Sequence, residues 1–459
     1  MRSIGIKTIL QVYKKGILNE FKPMKNMKKV NVFGHIVLLI LSGLFFSGCS
    51  WDDLWSGDDD GVDCGEVFCL GTLLAESESF NRHLREAVEL AKEDIKNAGE
   101  DIEIISEDFR AGEEEAEASA MRLHEIGVHA VVGPSFSSDA INVFDFISKN
   151  KIVTISPSAT SPEITKRNKA LVDGREQNYF FRLAPSDLFQ APILAGEITG
   201  SNVVVVYRDD AWGQGLFIPV KENLESAGKT VKEVKYSPKE DEFPGAEKVV
   251  EMVEMLDEIE NTDSIVALVF SEGKKIIKGL LASDTIPDET KYYVGDGFLL
   301  NDGFFPLGDK EKEGAMGGFT NITSSPLPEK RLAEFKERFS DDAESVSSFA
   351  AHAYDATVIL HLAALAAGST EPANYVQEIE KVSESGTECY TYATCAAALT
   401  DGTETNDDIN YQGLSGPIAF NNYGDIKSGF YAVYTYDREG KSSVEYVDFD
   451  GKSVSTGTN

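Results

Sequence analysis

Apolar positions along residues 67–436 keep switching between two periods. An apolar run at 67–74 is followed by Leu84, Val88, Ala91 and Ile95, spaced as one helix face, with Gly99 as the stop. Strands are predicted at 102–105, 130–132 and 152–155, with helices over 113–126 and 140–148 between them. Ser186 is placed to cap a helix over 187–199. Val203-Val204-Val205-Val206-Tyr207 is apolar without a break, which suits a parallel strand covered on both faces. Helices over 214–227, 246–258 and 274–282 then alternate with strands at 231–234, 265–270 and 292–294. This βαβα succession predicts an α/β architecture of two open parallel sheets, each wrapped by helices. A long apolar helix over 347–367 follows, closed by Gly368, and short β runs at 417–420, 430–436 and 444–449 come last.

The chain has 459 residues, too many for one ordinary core, so two or three folded units are expected. It carries 43 basic and 77 acidic side chains. Residues 1–48 hold 8 of the basic ones and 1 of the acidic ones, so the excess of acid falls beyond Cys49. A surface that acidic repels phosphate backbones and argues against nucleic-acid binding.

The opening segment sets the expected compartment. Met24-Lys25-Asn26-Met27-Lys28-Lys29 is basic, residues 30–46 are almost wholly apolar, and Ser47-Gly48 precede Cys49. Basic, apolar, then small is the order of an export signal, so 1–48 is read as one, with Met24 as its start. A membrane-spanning anchor is the competing reading, because the apolar stretch is near the shortest that spans a bilayer. Residues 49–64 are acidic and lack apolar periodicity, as a linker would. Setting Cys49 aside leaves Cys64, Cys69, Cys389 and Cys395 in two close pairs. In an exported protein Cys64–Cys69 and Cys389–Cys395 are the economical disulfides. Zinc is the alternative, without a CxxC spacing or a histidine cluster to support it.

In open α/β sheets, ligands sit where loops leave the carboxyl ends of strands. Those loops contain Gly133-Pro134-Ser135-Phe136-Ser137-Ser138 and Ser156-Pro157-Ser158-Ala159-Thr160. Later ones contain Asp209-Asp210-Ala211-Trp212-Gly213, Ser271-Glu272-Gly273 and Gly295-Asp296-Gly297. Hydroxyls and free backbone N–H groups at helix starts suit a carboxylate, and a lone acid between glycines suits an ammonium. The alternative is ordinary helix capping by Ser and Asp, which this fold needs repeatedly. Enzyme signatures are missing: there is no GxGxxG after the first strand, no GxxxxGK[ST], no GxSxG and no HExxH.

The stretch 131–165, VVGPSFSSDAINVFDFISKNKIVTISPSATSPEIT, resembles the leucine/isoleucine/valine-binding proteins, type 1 periplasmic solute-binding components of ABC importers. The likeness extends through Tyr179-Phe180-Phe181-Arg182, Asp210-Ala211-Trp212-Gly213-Gln214-Gly215, Tyr354-Asp355-Ala356 and Tyr411-Gln412-Gly413-Leu414-Ser415-Gly416-Pro417. It implies two α/β lobes joined by three hinge crossings, with an amino acid, branched-chain or similarly small, bound between them. Lobe one is expected over 65–184 and 317–420, lobe two over 185–316 and 421–459. By resemblance, Ser137 and Thr160 donate to the ligand carboxylate, Ser158 offers its backbone, and Asp296 accepts from the ammonium. Trp212 and Phe80 stand where aromatics pack on the ligand, and Ser271 stands where a tyrosine is common. Glu272 adds negative charge if it faces the cleft. Phe46-Ser47-Gly48-Cys49 resembles a lipobox, making Cys49 the site of lipidation and the chain a lipoprotein held on the outer face of a membrane. The expected partners are a permease and its ATPase, for a monomeric receptor that uses no cofactor and performs no chemistry. The alternative is a sensor of the same fold uncoupled from transport, which a neighbouring signalling gene in place of permease genes would indicate.

Overall fold

The computed structural model describes residues 64–454 apart from 66, 76–78, 108–112, 240–241, 299–318, 325–329, 342, 344–345, 348, 385, 401–408, 437–441 and 450. The export and lipidation reading of residues 1–49, and all of the linker except Cys64, therefore lie outside the described residues.

The first sheet is built from β1 (Phe68–Thr72), β2 (Ile102–Ser106), β3 (Ala130–Val132), β4 (Val153–Ser156) and β5 (Phe180–Arg182). Its order is β2-β1-β3-β4-β5, with every pairing parallel. The helices between them are α1 (Ser79–Asn97), α2 (Glu113–Ile126), α3 (Ser137–Asn150) and α4 (Pro162–Asp173). The alternation of side chains across a strand divides its residues between two cores. Ala130 and Val132 join a core with Leu84, Val88 and Ala91 of α1, whereas Val131 joins Leu123, Val143 and Ile147 on the other face.

The chain then enters a second sheet through α5 (Asp187–Glu197). Its strands are β6 (Asn202–Arg208), β7 (Thr230–Tyr236), β8 (Ser264–Leu268), β9 (Lys291–Val294) and β10 (Phe319–Ser324), with α6 (Ala211–Ser226), α7 (Ala246–Glu254) and α8 (Gly273–Leu281) between them. The valine run of β6 behaves as its pattern requires. Val204 and Val206 pack with Val249, Ile276 and Ile277, while Val203 and Val205 pack with Leu194, Leu216 and Val220 on the opposite side. The last strands, β13 (Phe430–Tyr436) and β14 (Ser442–Asp448), add antiparallel, giving the order β14-β13-β10-β9-β8-β6-β7.

Between the second sheet and its closing hairpin, the chain returns to the first. Here α9 (Lys330–Lys336) leads to α10 (Phe349–Ala367), which packs on α1 and behind β3 and β4. A helix apolar all round needs cover all round. The short α11 (Pro372–Tyr375), α12 (Glu378–Glu384) and α13 (Tyr392–Leu399), with a two-stranded ribbon of β11 (Thr387–Cys389) and β12 (Ile409–Tyr411), supply the rest of it. Cys64 is bonded to Cys69 and Cys389 to Cys395, with Cα separations of 5.5 and 5.3 Å.

Two expectations shift, and one helix had no counterpart in the pattern. β10 pairs with β9, so it belongs to the second sheet and the return begins after 324 instead of at 317. Residues 417–420 form no strand. Only Phe420 makes an isolated bridge, to Ile426. The helix over 162–173 has little apolar signal, with Ile164 and Asn168 as its buried residues, and is set instead by Ser161 capping Glu163 N–H ahead of Pro162.

Candidate functional site

Five loops leave the carboxyl ends of β3, β4, β6, β8 and β9, and four of them line a cavity between the two sheets together with Trp212 at the start of α6. From the first sheet come Ser135, Phe136, Ser137 and Ser158; from the second come Phe270, Ser271, Lys274, Asp296, Gly297 and Phe298. Phe80 of α1 and Phe349 of α10 close one side. The cavity volume is about 90 Å³, below the range of drug-sized pockets, which suits a small molecule.

Each position follows from local structure. Phe136 occupies the cap position of α3 without a side-chain cap bond, and its ring lies 6.3 Å from Phe80 and 5.8 Å from Phe270. Ser137, the first residue of that helix, is buried, and its hydroxyl accepts from Ser161 N–H at 3.1 Å. The Ser158 hydroxyl donates to Ser135 C=O at 2.8 Å, so the side chain is spent on shaping its own loop. At the other side Asp210 caps α6 by accepting from Gly213 N–H at 2.8 Å, which aims Trp212 inward. The Trp212 indole N–H donates to Asp296 at 3.2 Å, while its ring packs 4.5 Å from Phe270. Trp212 is thus both wall and positioning group.

Of the seven candidates, Ser137, Ser158, Trp212, Asp296, Phe80 and Ser271 lie on the cavity wall. Thr160 does not. It is buried behind the wall, where its hydroxyl faces the carboxyl of Asp187 and its carbonyl accepts from Asp187 N–H at 2.9 Å. Glu272 does not project into the cavity either. It accepts from Arg208 and from the Tyr236 hydroxyl, both at 2.7 Å, so its charge is matched beside the site.

Behind the acidic end of the cavity lie residues that pattern reading missed. Asp187 and Gln190 are both buried and three residues apart on α5, hence on one face. Gln190 bonds to Asp296. Neither Asp187 carboxyl oxygen, nor the Thr160 hydroxyl, has a well-formed hydrogen bond among the described residues. Burial, with the charge of Asp296 added, pushes the Asp187 carboxyl well above the usual carboxylate range, and Thr160 and Arg182 oppose the shift. Burial also raises Asp296, to about 6, against the donors Gln190, Trp212 and the backbone N–H of Gly297. Two acids that share a dry site ionise one before the other. In the sequence Asp187 passes for an ordinary acid in a first helical turn. The Asp-x-x-Gln spacing on one buried face is the signal that could have found it.

The two sides touch. Ala211 N–H donates to the Ser138 hydroxyl at 3.4 Å. A Cβ at Gly215 would sit 3.0 Å from Ser161 Oγ and 3.1 Å from Pro162 Cδ, so glycine eases this close approach of α6 to the start of α4.

The sequence profile described as the receptor family ligand binding region matches residues 83–439. An uncharacterized protein of Methanocaldococcus jannaschii is 30% identical over 44% of this chain, and the match spans half of that protein's length. A Leu/Ile/Val-binding protein of Rhizobium johnstonii is 25% identical over 68% of this chain and 74% of its own. Among solved structures, the branched-chain amino acid transporter substrate binding protein of Streptococcus pneumoniae, in complex with isoleucine, superimposes with a TM-score of 0.62. That match covers 83% of this chain and all of the other, at 19% identity.

Proposed function

This chain belongs to the receptor family ligand binding region, with the fold of the type 1 periplasmic solute-binding proteins, and from that premise we propose that it is an extracytoplasmic substrate-binding protein of an ABC importer, taking an α-amino acid or similar small zwitterion into the cavity. One observation carries the reading: hydroxyls and helix starts face the cavity from the first sheet, and a buried carboxylate faces it from the second. The ligand carboxylate is held by the Ser137 hydroxyl and the backbone at Ser158, with Thr160 behind them, and the ammonium by Asp296. Asp187 stands behind Asp296, where burial and the charge of Asp296 hold its carboxyl well above the usual carboxylate range. Phe80, Trp212 and Ser271 shape the remaining wall.

The lobes divide as the sheets do, and closing them joins donors on one side to the acceptor on the other. Each half-site alone is incomplete, so the ligand stabilises the closed form through contacts that exist only there. Cys49 carries the lipid that keeps the receptor at the membrane, beside the permease and ATPase to which it delivers its cargo.

Calorimetric titration of the full chain, freed of bound ligand, against the natural amino acids tests this. Saturable binding by one or a few of them is expected. Asp296→Asn and Ser137→Ala should each weaken it by about tenfold to a hundredfold, the loss of a hydrogen bond to a charged group, with the fold intact. Unchanged affinity in both variants would remove these residues from the site.

Affinity should also depend on pH with a defined sign. Ammonium capture needs the ionised form of Asp296, whose carboxyl is pushed up to about 6 by burial. Binding therefore weakens as pH falls through 6, by about tenfold between pH 7.5 and pH 5. A dissociation constant that stays flat over that interval would contradict the role given to Asp296.

A further inference from the structure

Six of the residues that line the cavity are aromatic: Phe80, Phe136, Trp212, Phe270, Phe298 and Phe349. Five of them are also tied into the surrounding structure. Phe349 and Phe298 are buried members of the cores on the first and second sheets, and Phe80 packs against the first of these. Trp212 donates to Asp296, and Phe270 lies under the Arg208 guanidinium at 4.0 Å. Phe136 is different. It occupies the cap position of α3, where a side-chain acceptor would be preferred, and makes no cap bond. It belongs to none of the hydrophobic cores among the described residues. Neither helix nor core therefore accounts for this half-buried ring, and a local rule broken without local gain marks a functional position. The ring bridges the wall. Its neighbours are Phe80, at 6.3 Å on the side of the first sheet, and Phe270, at 5.8 Å on the side of the second. The space left between the rings is small. An apolar cavity of about 150 Å³ takes up a benzene. Here about 90 Å³ has to hold a whole ligand, its α-groups included. Beside the α-carbon that leaves room for little more than a methyl or hydroxymethyl group.

We propose that Phe136 is a specificity-determining residue that limits the ligand to a small α-amino acid, of the size of glycine, alanine or serine. The inference rests on the amino-acid-binding reading and narrows it. The α-carboxylate meets Ser137 and the loop of Ser158, the α-ammonium meets Asp296, and the Phe136 ring fills the space into which a longer side chain would extend. A branched side chain such as that of leucine would have to displace this ring from between Phe80 and Phe270.

The test is calorimetric titration of the full chain, freed of bound ligand, with the natural amino acids, setting glycine, alanine and serine against leucine and phenylalanine. Wild type, Phe136→Ser and Phe136→Leu are compared. Serine is a preferred cap, so Phe136→Ser removes the ring while supporting the start of α3. Phe136→Leu keeps an apolar side chain in place, so the comparison stands if Phe136→Ser does not fold. In the wild type, one of the small ligands should bind at least about tenfold more tightly than leucine or phenylalanine, the scale on which a filled site rejects added methylene groups. Phe136→Ser should narrow that ratio by at least about tenfold, by strengthening the binding of the larger ligands, and Phe136→Leu should narrow it in the same direction by less. Such a gain in affinity does not arise from damage to the fold. A wild type that binds a larger amino acid as tightly as any small one, or variants that keep the wild-type preference, overturn the inference and leave the amino-acid reading standing. A folded wild type that binds none of the natural amino acids overturns both.

Discussion

Replacing Asp355 with alanine is expected to lower the free energy of unfolding by about 3–5 kcal/mol, although the residue does not line the cavity. Asp355 sits in the middle of α10 with no exposure. Its carboxylate accepts from the Tyr411 hydroxyl at 2.6 Å, from Leu414 N–H at 3.0 Å, and from both the N–H and the hydroxyl of Ser415 at 2.7 and 2.6 Å. Burial pushes its carboxyl up, and these donors pull it back. Gly413 allows the loop to close this tightly, since a Cβ there would lie 2.5 Å from the Asp355 oxygen. Alanine would strand buried donors that together cost several kcal/mol, and the segment 411–415 would lose its only anchor of that kind on α10 among the described residues. Urea unfolding followed by circular dichroism measures the change. A loss below about 1 kcal/mol would show that the loop is held by other contacts.

The second large effect is expected at Arg182, for both stability and binding. This guanidinium is fully buried. It donates to Asp425 at 2.6 Å, to the carbonyls of Ala159 and Ser161 at 3.2 and 2.9 Å, and to the Thr165 hydroxyl at 2.6 Å. It therefore ties the end of β5 to the loop carrying Ser158 and Thr160, and to the segment at 425 that runs on towards β13. Arg182→Met removes the cation and leaves Asp425 buried without it, a change that costs about 3–5 kcal/mol. The double variant with Asp425→Leu should recover much of that loss, because no charge is then stranded. Ligand affinity should stay impaired in the double variant, since the two loop carbonyls still lack their donor. Full recovery of affinity would mean that the loop holds its shape unaided.

Parts of this architecture were legible in the chain because local physics suffices for them. The uninterrupted valines of β6 have one stable environment, a strand covered on both faces. The sharp stops at Gly99 and Gly368, and the cap at Ser186, announce helix ends wherever they occur. What escaped was of two kinds. The helix α4 is too polar to show a face, and β10, β11 and β12 are strands only because distant partners receive them. Three residues such as those of β11 have no preference strong enough to declare themselves before Ile409–Tyr411 comes alongside.

The candidate site divides in the same way. Ser137, Ser158, Asp296 and Ser271 could be named because a loop after a parallel strand must open at the carboxyl edge of its sheet, wherever that sheet ends up. The resemblance to known receptors added Phe80 and gave the loop residues, Thr160 and Trp212 included, their expected roles. The two sheets are joined by segments that sequence patterning does not arrange, so the groups that meet across the cavity could not be read in advance. Phe349 reaches it from a helix over fifty residues beyond Asp296. Asp187 becomes an unusual acid only once α5 folds it behind Asp296. Glu272 looked available for the ligand until Arg208 and Tyr236, contributed by two other strands, converged on it. Charge and periodicity are properties of a segment and can be read from the segment. Burial and pairing belong to the assembled chain, and they decide which of the many carboxylates here remains available to a ligand.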